Sequence, residues 1–438
     1  MALSFLWPDG LWNSDNVLSL SGSSLSRFSP TTPPLAIGHL RSPLRLPAWQ
    51  ACSAPHEAAP ETRDRSMADT PQPRTGGAIL VDQLLRHGAD RIFGVPGESY
   101  LPVLDALHEA RAHIEFVICR MEAGAANMAE ADGKLTGRPG LCMVTRGPGA
   151  THAAVGVHTA AQDSTPMILF IGQVGADMKH REAFQEIDYV QMFGAMAKWV
   201  VEIDDAARMP ELIARAFSVA ISRAARDRVV VALPETVLSQ TAVAPEARPA
   251  EPARPSASAG AVAEAMALLR AAERPMVIAG GVTGTPQAAA DLARFAAANG
   301  LPVAAAFRSQ DMLPNSHPCY VGDLGLGADP DLLDRLRAAD VILALGTRLE
   351  ENVSQGYTLF DLPQPRQALI HVFPDPEEIG RIYQPALGIV SDLAGFLAQA
   401  VAAPPAEAGR WAGDLQAARA AYEAISVPPE TGEAVDMG

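Results

Sequence analysis

Glu122 has the most suggestive surroundings of any charged residue in the chain. It follows a short apolar run, EFVIC, and Arg120-Met121, and it opens a stretch of small residues: Ala123, Gly124, Ala125, Ala126 and Ala129. A carboxylate here can serve the first turn of a helix, where negative charge suits the macrodipole. It can also face a flat apolar group admitted by the small side chains. Such surroundings disfavour its charged form, which suits proton exchange near neutrality. Gly147-Pro148-Gly149 reads as a loop before a helix, fit for an anion cradle or a plain turn. Gly94-Val95-Pro96-Gly97 reads as a strand-ending turn and Phe184-Gln185-Glu186 as a loop. Gly280-Gly281 and Gly346-Thr347-Arg348 each follow an apolar run, where glycine lets a nucleotide approach the backbone, although both are common turn sequences. His152 and His158 read as ordinary helix residues, not as bases or metal ligands.

The elements that must position these residues alternate along the chain. IEFVIC, GLCMV, MILFIG and RVVVALP are short apolar runs separated by helical stretches, the pattern of a parallel sheet covered on both faces. A Pro/Ala-rich linker, residues 241–258, leads into a second alternating series with strands at PMVIA, PVAAAF, VILAL and QALIHVF. The fold class expected is α/β: two doubly wound parallel-sheet domains, residues 75–240 and 259–402. Residues 1–74, rich in Ser, Pro and Leu with no sustained periodicity, are expected to be disordered, as a transit-like segment or as sequence ahead of a true start at Met67. The tail, residues 403–438, holds one helical stretch and stops in EAVDMG, which looks like the opening of a further element.

Composition narrows the partners. The chain has 438 residues, 48% hydrophobic, with a formal net charge of -16. That acidic balance argues against a nucleic-acid partner, since phosphate backbones require a basic face. No apolar run approaches the ~18–20 residues that would cross a bilayer. Cys52, Cys119, Cys142 and Cys319 are scattered without a CxxC pair, as befits reduced thiols in a cytoplasmic protein.

The series RMEAGAANMAEADGKLTGRPG, then VTRGPGATH, resembles the pyrimidine-binding domain of thiamine-diphosphate enzymes, nearest to the acetolactate synthase (acetohydroxyacid synthase) large-subunit group. That family reads R-H-E-Q-G-A-x-H-M-A-E-G, later T-G-x-P-G and T-x-G-P-G-A-T-N. GQVGADMKHREAFQEID is similar to its GQV…AFQE segment, and the likeness runs from Gly76 to Ala402. The resemblance implies that Glu122 hydrogen-bonds N1′ of the aminopyrimidine, favouring the imino tautomer that removes the thiazolium C2 proton. It implies that Pro96 and Gly97 line the cofactor site, that Gly147, Pro148 and Gly149 lie by the aminopyrimidine, and that Phe184 and Gln185 stand near the substrate entrance. The implied chemistry is decarboxylation of a pyruvate-like 2-oxo acid with carboligation, as in branched-chain amino acid biosynthesis. The implied assembly is a homodimer or homotetramer. A simple 2-oxo acid decarboxylase or lyase, and a non-catalytic nucleotide-binding or regulatory fragment, are the alternatives.

Departures from the pattern mark where that chemistry can differ. Met121 and Ala123 replace His and Gln, His152 replaces Asn, and Glu98 stands where a Gly is usual. The synthases hold FAD in the middle domain, and Gly280, Gly281 and Arg348 resemble the elements used there, but a family carboxylate becomes Phe373. Family members bind Mg²⁺ and the diphosphate through a third domain with a G-D-G…N motif. Gly322-Asp323-Leu324 with Asn352 mimics it only loosely, so the metal ligands are expected on a domain this chain lacks, and no metal site is assigned within it.

Overall fold

The computed structural model describes residues 72–222, 228–249, 251, 253–407 and 409–427. The expectation for residues 1–74 therefore falls, up to residue 71, outside the described residues, as does the EAVDMG ending.

Two six-stranded sheets, each parallel throughout, build two lobes of one compact unit. The first lobe runs β1 (Arg74–Thr75), α1 (Gly76–Arg86), β2 (Arg91–Gly94), α2 (Leu101–Glu109), β3 (Glu115–Ile118), α3 (Glu122–Thr136), β4 (Gly140–Val144), α4 (Gly147–Asp163) and β5 (Met167–Gln173). It continues with α5 (Tyr189–Phe193), β6 (Trp199–Glu202), α6 (Met209–Ala220), β7 (Arg228–Pro234), α7 (Glu235–Ser239) and β8 (Thr241–Ala242). The second lobe runs α8 (Ala259–Ala271), β9 (Pro275–Ala279), α9 (Pro286–Asn299), β10 (Val303–Ala306), β11 (Tyr320–Leu324), α10 (Pro330–Ala338) and β12 (Val341–Leu345). It closes with β13 (Ala368–Phe373), β14 (Leu387–Val390), α11 (Leu393–Ala402) and α12 (Ala412–Ile425).

Strand β5 shows why these runs form buried parallel strands. All seven of its residues are buried, and alternate side chains enter opposite cores. Ile168 and Phe170 join α1 and α6 on one face, while Met167, Leu169 and Ile171 join α3 and α4 on the other. Each such side chain contributes about 1.5–3 kcal/mol by leaving water. Strand β12 repeats the device, with Leu343 facing one core and Ile342 the other.

Strand order is β3-β2-β4-β5-β7-β6 in the first sheet and β11-β10-β9-β12-β13-β14 in the second. In both, the chain winds outward to one edge and then restarts on the other side of its first central strand. The reversal lies between β2 and β4 in one lobe and between β9 and β12 in the other. Beyond the carboxyl ends of those strands, neighbouring connections part in opposite directions and open a crevice for ligands. The sequence motifs sit at these two points.

Three features differ from the sequence expectation. Strands β6, β11 and β14 are additional. Gly147-Pro148-Gly149 is the first turn of α4, not a loop before it, because Pro148 near the helix start has the required φ and needs no N–H partner there. Arg74 and Thr75 pair antiparallel with Ala242 and Thr241, at the start of the expected linker. Gly322, Asp323 and Leu324 belong to β11. The tail helix α12 lies against β11: Tyr320 and Tyr422 meet edge to face, and the Arg419 Nη1 donates to the carbonyls of Asn315, His317 and Tyr320.

Candidate functional site

Glu122 is the first residue of α3, and Met121 before it is extended with no capping side chain. The carboxylate is therefore aimed across to α4 instead of being spent on its own helix end. One oxygen, Oε2, lies 3.0 Å from Nδ1 of His152. The other, Oε1, lies 3.7 Å from where a Cβ on Gly149 would stand. Helices α3 and α4 approach this closely because Gly156 has no side chain: a Cβ there would sit 2.5 Å from that of Ala126. Ala125, Ala126, Ala129, Ala153 and Ala160 are fully buried in the same seam. Most of the small residues around Glu122 thus serve helix-to-helix contact. Gly124, by contrast, has open space where its Cβ would be. The Glu122 side chain is 15% exposed, and Ile118 and Met121, near it in the chain, are exposed.

The turn after β2 closes on the same point. A Cβ on Gly97 would lie 2.7 Å from Cβ of Thr145, and the Thr145 hydroxyl pairs with that of Ser99 at 2.9 Å. Tyr100 donates to the carbonyl of Val95 and fixes the turn. Its hydroxyl and the Cys142 thiol are both held protonated, chiefly by burial, with Glu122's charge adding to the effect. Pro96 and Pro148 are exposed on the rim. From the far side, the Gln185 carbonyl accepts the Gly147 N–H at 3.0 Å, and a Cβ on Gly147 would fall 2.9 Å from that oxygen. Glu186 shapes this loop by accepting the N–H groups of His180 and Ala183, and those bonds hold its carboxyl below the usual range. Phe184 stands 77% exposed at the loop tip. Glu122, Gly97, Gly147, Gly149 and the Gln185 backbone therefore meet at the first switch point, with Pro96, Pro148 and Phe184 exposed on the surface.

Residues 74–192 match the thiamine pyrophosphate enzyme N-terminal TPP-binding domain, and residues 262–400 match the central domain of the same enzymes. The chain belongs to the thiamine pyrophosphate enzymes. It is 33% identical over 351 residues to the acetolactate synthase isozyme 1 large subunit of Escherichia coli, an alignment covering 78% of this chain and 61% of that protein. It is 31% identical over 353 residues to the acetolactate synthase large subunit of Corynebacterium glutamicum, covering 80% of this chain and 55% of the relative. With the mitochondrial acetolactate synthase of Schizosaccharomyces pombe it shares 31% over 342 residues, covering 73% and 50%. The chain spans about half to three-fifths of the length of these curated relatives.

The second candidate site of this thiamine pyrophosphate family member is a cleft of about 190 Å³ between the lobes, at the switch point of the second sheet. Gly281 and Arg348 front it. Gly280 also lines it, but a Cβ there would lie 2.3 Å from the Gly346 carbonyl, so that glycine serves the crossing of two loops. Ser164, Thr283 and Arg308 line the cleft with φ of 56°, 62° and 58°, a left-handed backbone that costs non-glycine residues energy and gathers at ligand clamps. The charges are already engaged. Asp163 of α4 binds Lys134 at 3.0 Å and Arg308 at 2.8 Å, and Arg348 donates to the Gln162 carbonyl and the Ser164 hydroxyl. Burial raises the carboxyl of Glu350. A larger groove of about 730 Å³ adjoins it, sharing Gln162, Arg348 and Glu350. Phe373, at the position of a family carboxylate, is fully buried in β13.

Among the described residues no group of three or more His, Cys, Asp or Glu could hold a metal ion, and no helix is long and apolar enough to cross a membrane. Sequence reasoning missed His152 as Glu122's partner. The signal was its place three residues after Gly149, which puts both on the face of α4 turned toward Glu122.

Proposed function

We propose that this thiamine pyrophosphate family member carries the pyrimidine-side half of an acetolactate-synthase-like active site, acting on a pyruvate-like 2-oxo acid with carboligation. The carrying observation is the Glu122 carboxylate at the first switch point, one oxygen tied to His152 and the other facing the bare Gly149. The residues fit thiamine diphosphate: Gly124 leaves open space in the first turn of α3, Gly149 places no side chain beside the acid, and Gly97 lets the turn close on Thr145, where Ser99 and Tyr100 hold it rigid. When bound, the cofactor supplies a carbon nucleophile and an electron sink for the 2-oxo acid. Glu122 would hold a proton at N1′ of the aminopyrimidine, and Pro96, Gly97, Gly147, Pro148 and Gly149 would border the ring. Phe184 and Gln185 would flank the substrate entrance. Mg²⁺ and the diphosphate would be held by residues other than those described here.

The exposed stripe of Met121, Met128 and Leu135, spaced by seven along α3, suits burial against a second subunit, in keeping with a homodimer or homotetramer. The interlobe cleft favours a nucleotide as a second ligand. FAD would lie along Gly281, Thr283 and Arg348, and absorbance of the purified protein near the flavin bands tests it. The scattered thiols support the reading of a cytoplasmic enzyme. A simple decarboxylase or lyase would share Glu122 but release an aldehyde from pyruvate instead of a carboligated acid, so product analysis separates the two.

The test of the reading is exchange of the cofactor C2 proton with Mg²⁺ present. Glu122→Gln should slow it by about 10²–10⁴-fold, the span typical of a lost acid–base group. Equal rates for the two proteins would remove the assignment.

A further inference from the structure

Contact between α3 and α4 is carried by Ala126 and Gly156, and it does not require Glu122 and His152 to meet. His152 is also too open to be held by packing, with 57% of its side chain exposed, yet its Nδ1 comes within 3.0 Å of Glu122 Oε2. When the carboxylate is ionised it can only accept, and in that state the proton of this bond is carried by Nδ1 of the imidazole. A glutamate side chain has three rotatable bonds, and an acid that must meet a ring nitrogen loses rate for every rotamer that points elsewhere. Tying Oε2 to a second helix removes most of that freedom. Gly149, three residues before His152 on α4, meanwhile puts no side chain beside Oε1, which lies 3.7 Å from where its Cβ would stand.

We propose that His152 is a positioning residue for Glu122: its Nδ1–H holds one carboxylate oxygen so that the other is presented over Gly149. The purpose of this contact rests on the thiamine reading, whereas the contact itself does not. His152 touches neither cofactor nor substrate in this role. It acts through Glu122, and the donor matters more than the ring, so an asparagine amide should replace it and an aliphatic side chain should not.

Two measurements on the full chain test this. Nitrogen-15 NMR of the imidazole, without cofactor, should find His152 protonated at Nδ1, and Glu122→Ala should return it to the tautomer mixture of a solvated histidine. With thiamine diphosphate and Mg²⁺, His152→Leu should slow C2-proton exchange by roughly 10–100-fold, while His152→Asn stays within about threefold, as expected for one hydrogen bond to a charged group. The loss should appear in the exchange rate and not in the cofactor concentration that half-saturates it. An Nδ1 that carries no proton, or wild-type exchange in His152→Leu, overturns the proposal. An Nδ1–H that depends on Glu122, beside exchange that is indifferent to Glu122→Gln, would leave the orienting contact standing and bring down the thiamine reading alone.

Discussion

At the first sheet's switch point a single carboxylate meets a single histidine, and bare glycine backbone lies beside them. At the second, Lys134, Arg308 and Arg348 face Asp163, Ser164 and the Gln162 carbonyl, and every one of these contacts ties charge to charge or to a fixed dipole. The same topology thus yields two different sites. At the first, the second carboxylate oxygen faces the backbone of Gly149, 3.7 Å from where its Cβ would stand, which suits a proton relay. The second uses its charges to bind the lobes together, so any anion entering there must exchange partners with groups already satisfied. A crevice at a switch point is therefore an opportunity for ligands, and the state of its charges decides what it can do.

The contrast can be broken in four ways. The largest effect belongs to Glu122→Gln, which should cost the 10²–10⁴-fold in C2-proton exchange given above while leaving thermal unfolding nearly unchanged. Next, Gly156→Val would place side-chain atoms against Ala126, whose Cβ and backbone carbon lie 2.5 and 2.7 Å from the new Cβ. The result should be a loss of about 1–3 kcal/mol in denaturant unfolding, with Glu122 displaced as well. Third is acid. His371 is buried on β13 against the Thr347 carbonyl, and burial lowers its pKa from 6.5. Above pH 6.5 neither state binds this proton. As pH falls below that value the unfolded chain binds it and the folded lobe does not, so stability should drop by at most about 1.4 kcal/mol per pH unit until the folded histidine also titrates. Urea melts of wild type and His371→Asn between pH 7 and 5 check the sign. Smallest is Gly281→Ala, whose Cβ would meet only Ser309, with Oγ nearest at 3.3 Å. Stability should stay within about 0.5 kcal/mol of wild type. Gly280→Ala, which strikes the Gly346 backbone, should be plainly destabilised. A nucleotide in the cleft would make Gly281→Ala lose binding while keeping its fold.

Much of this was readable from the residues. MILFIGQ and VILAL announce buried strands because neither face sees water, and the α/β alternation follows from them. Of the strands not foreseen, β6, β11 and β14 are edges of the six-stranded sheets, and β1 and β8 are two-residue strands that pair with each other. WVVE, YVGDL and LGIV are each broken or ended by a glycine or a charged residue and lack the uninterrupted apolar run of a central strand such as MILFIG. Glu122 was identifiable from its place in a long ordered motif. The reason for its small neighbours was not, because a row of alanines looks the same whether it lines a hollow or seats a helix. His152 stayed hidden for a similar cause. Its partner lies thirty residues earlier in the chain, and only the Gly156 contact between the two helices brings them together.

Arg419 carries one more consequence. Its guanidinium stitches the final helix to the lip of an outermost strand, answering three oxygens that would otherwise offer themselves to a neighbouring molecule. Shortening the polypeptide before residue 412 would strip Tyr320 of its aromatic companion and leave a ragged, adhesive border on the second lobe. A shortened version should accordingly clump on concentration well before any chemistry could be assayed, which light scattering would reveal.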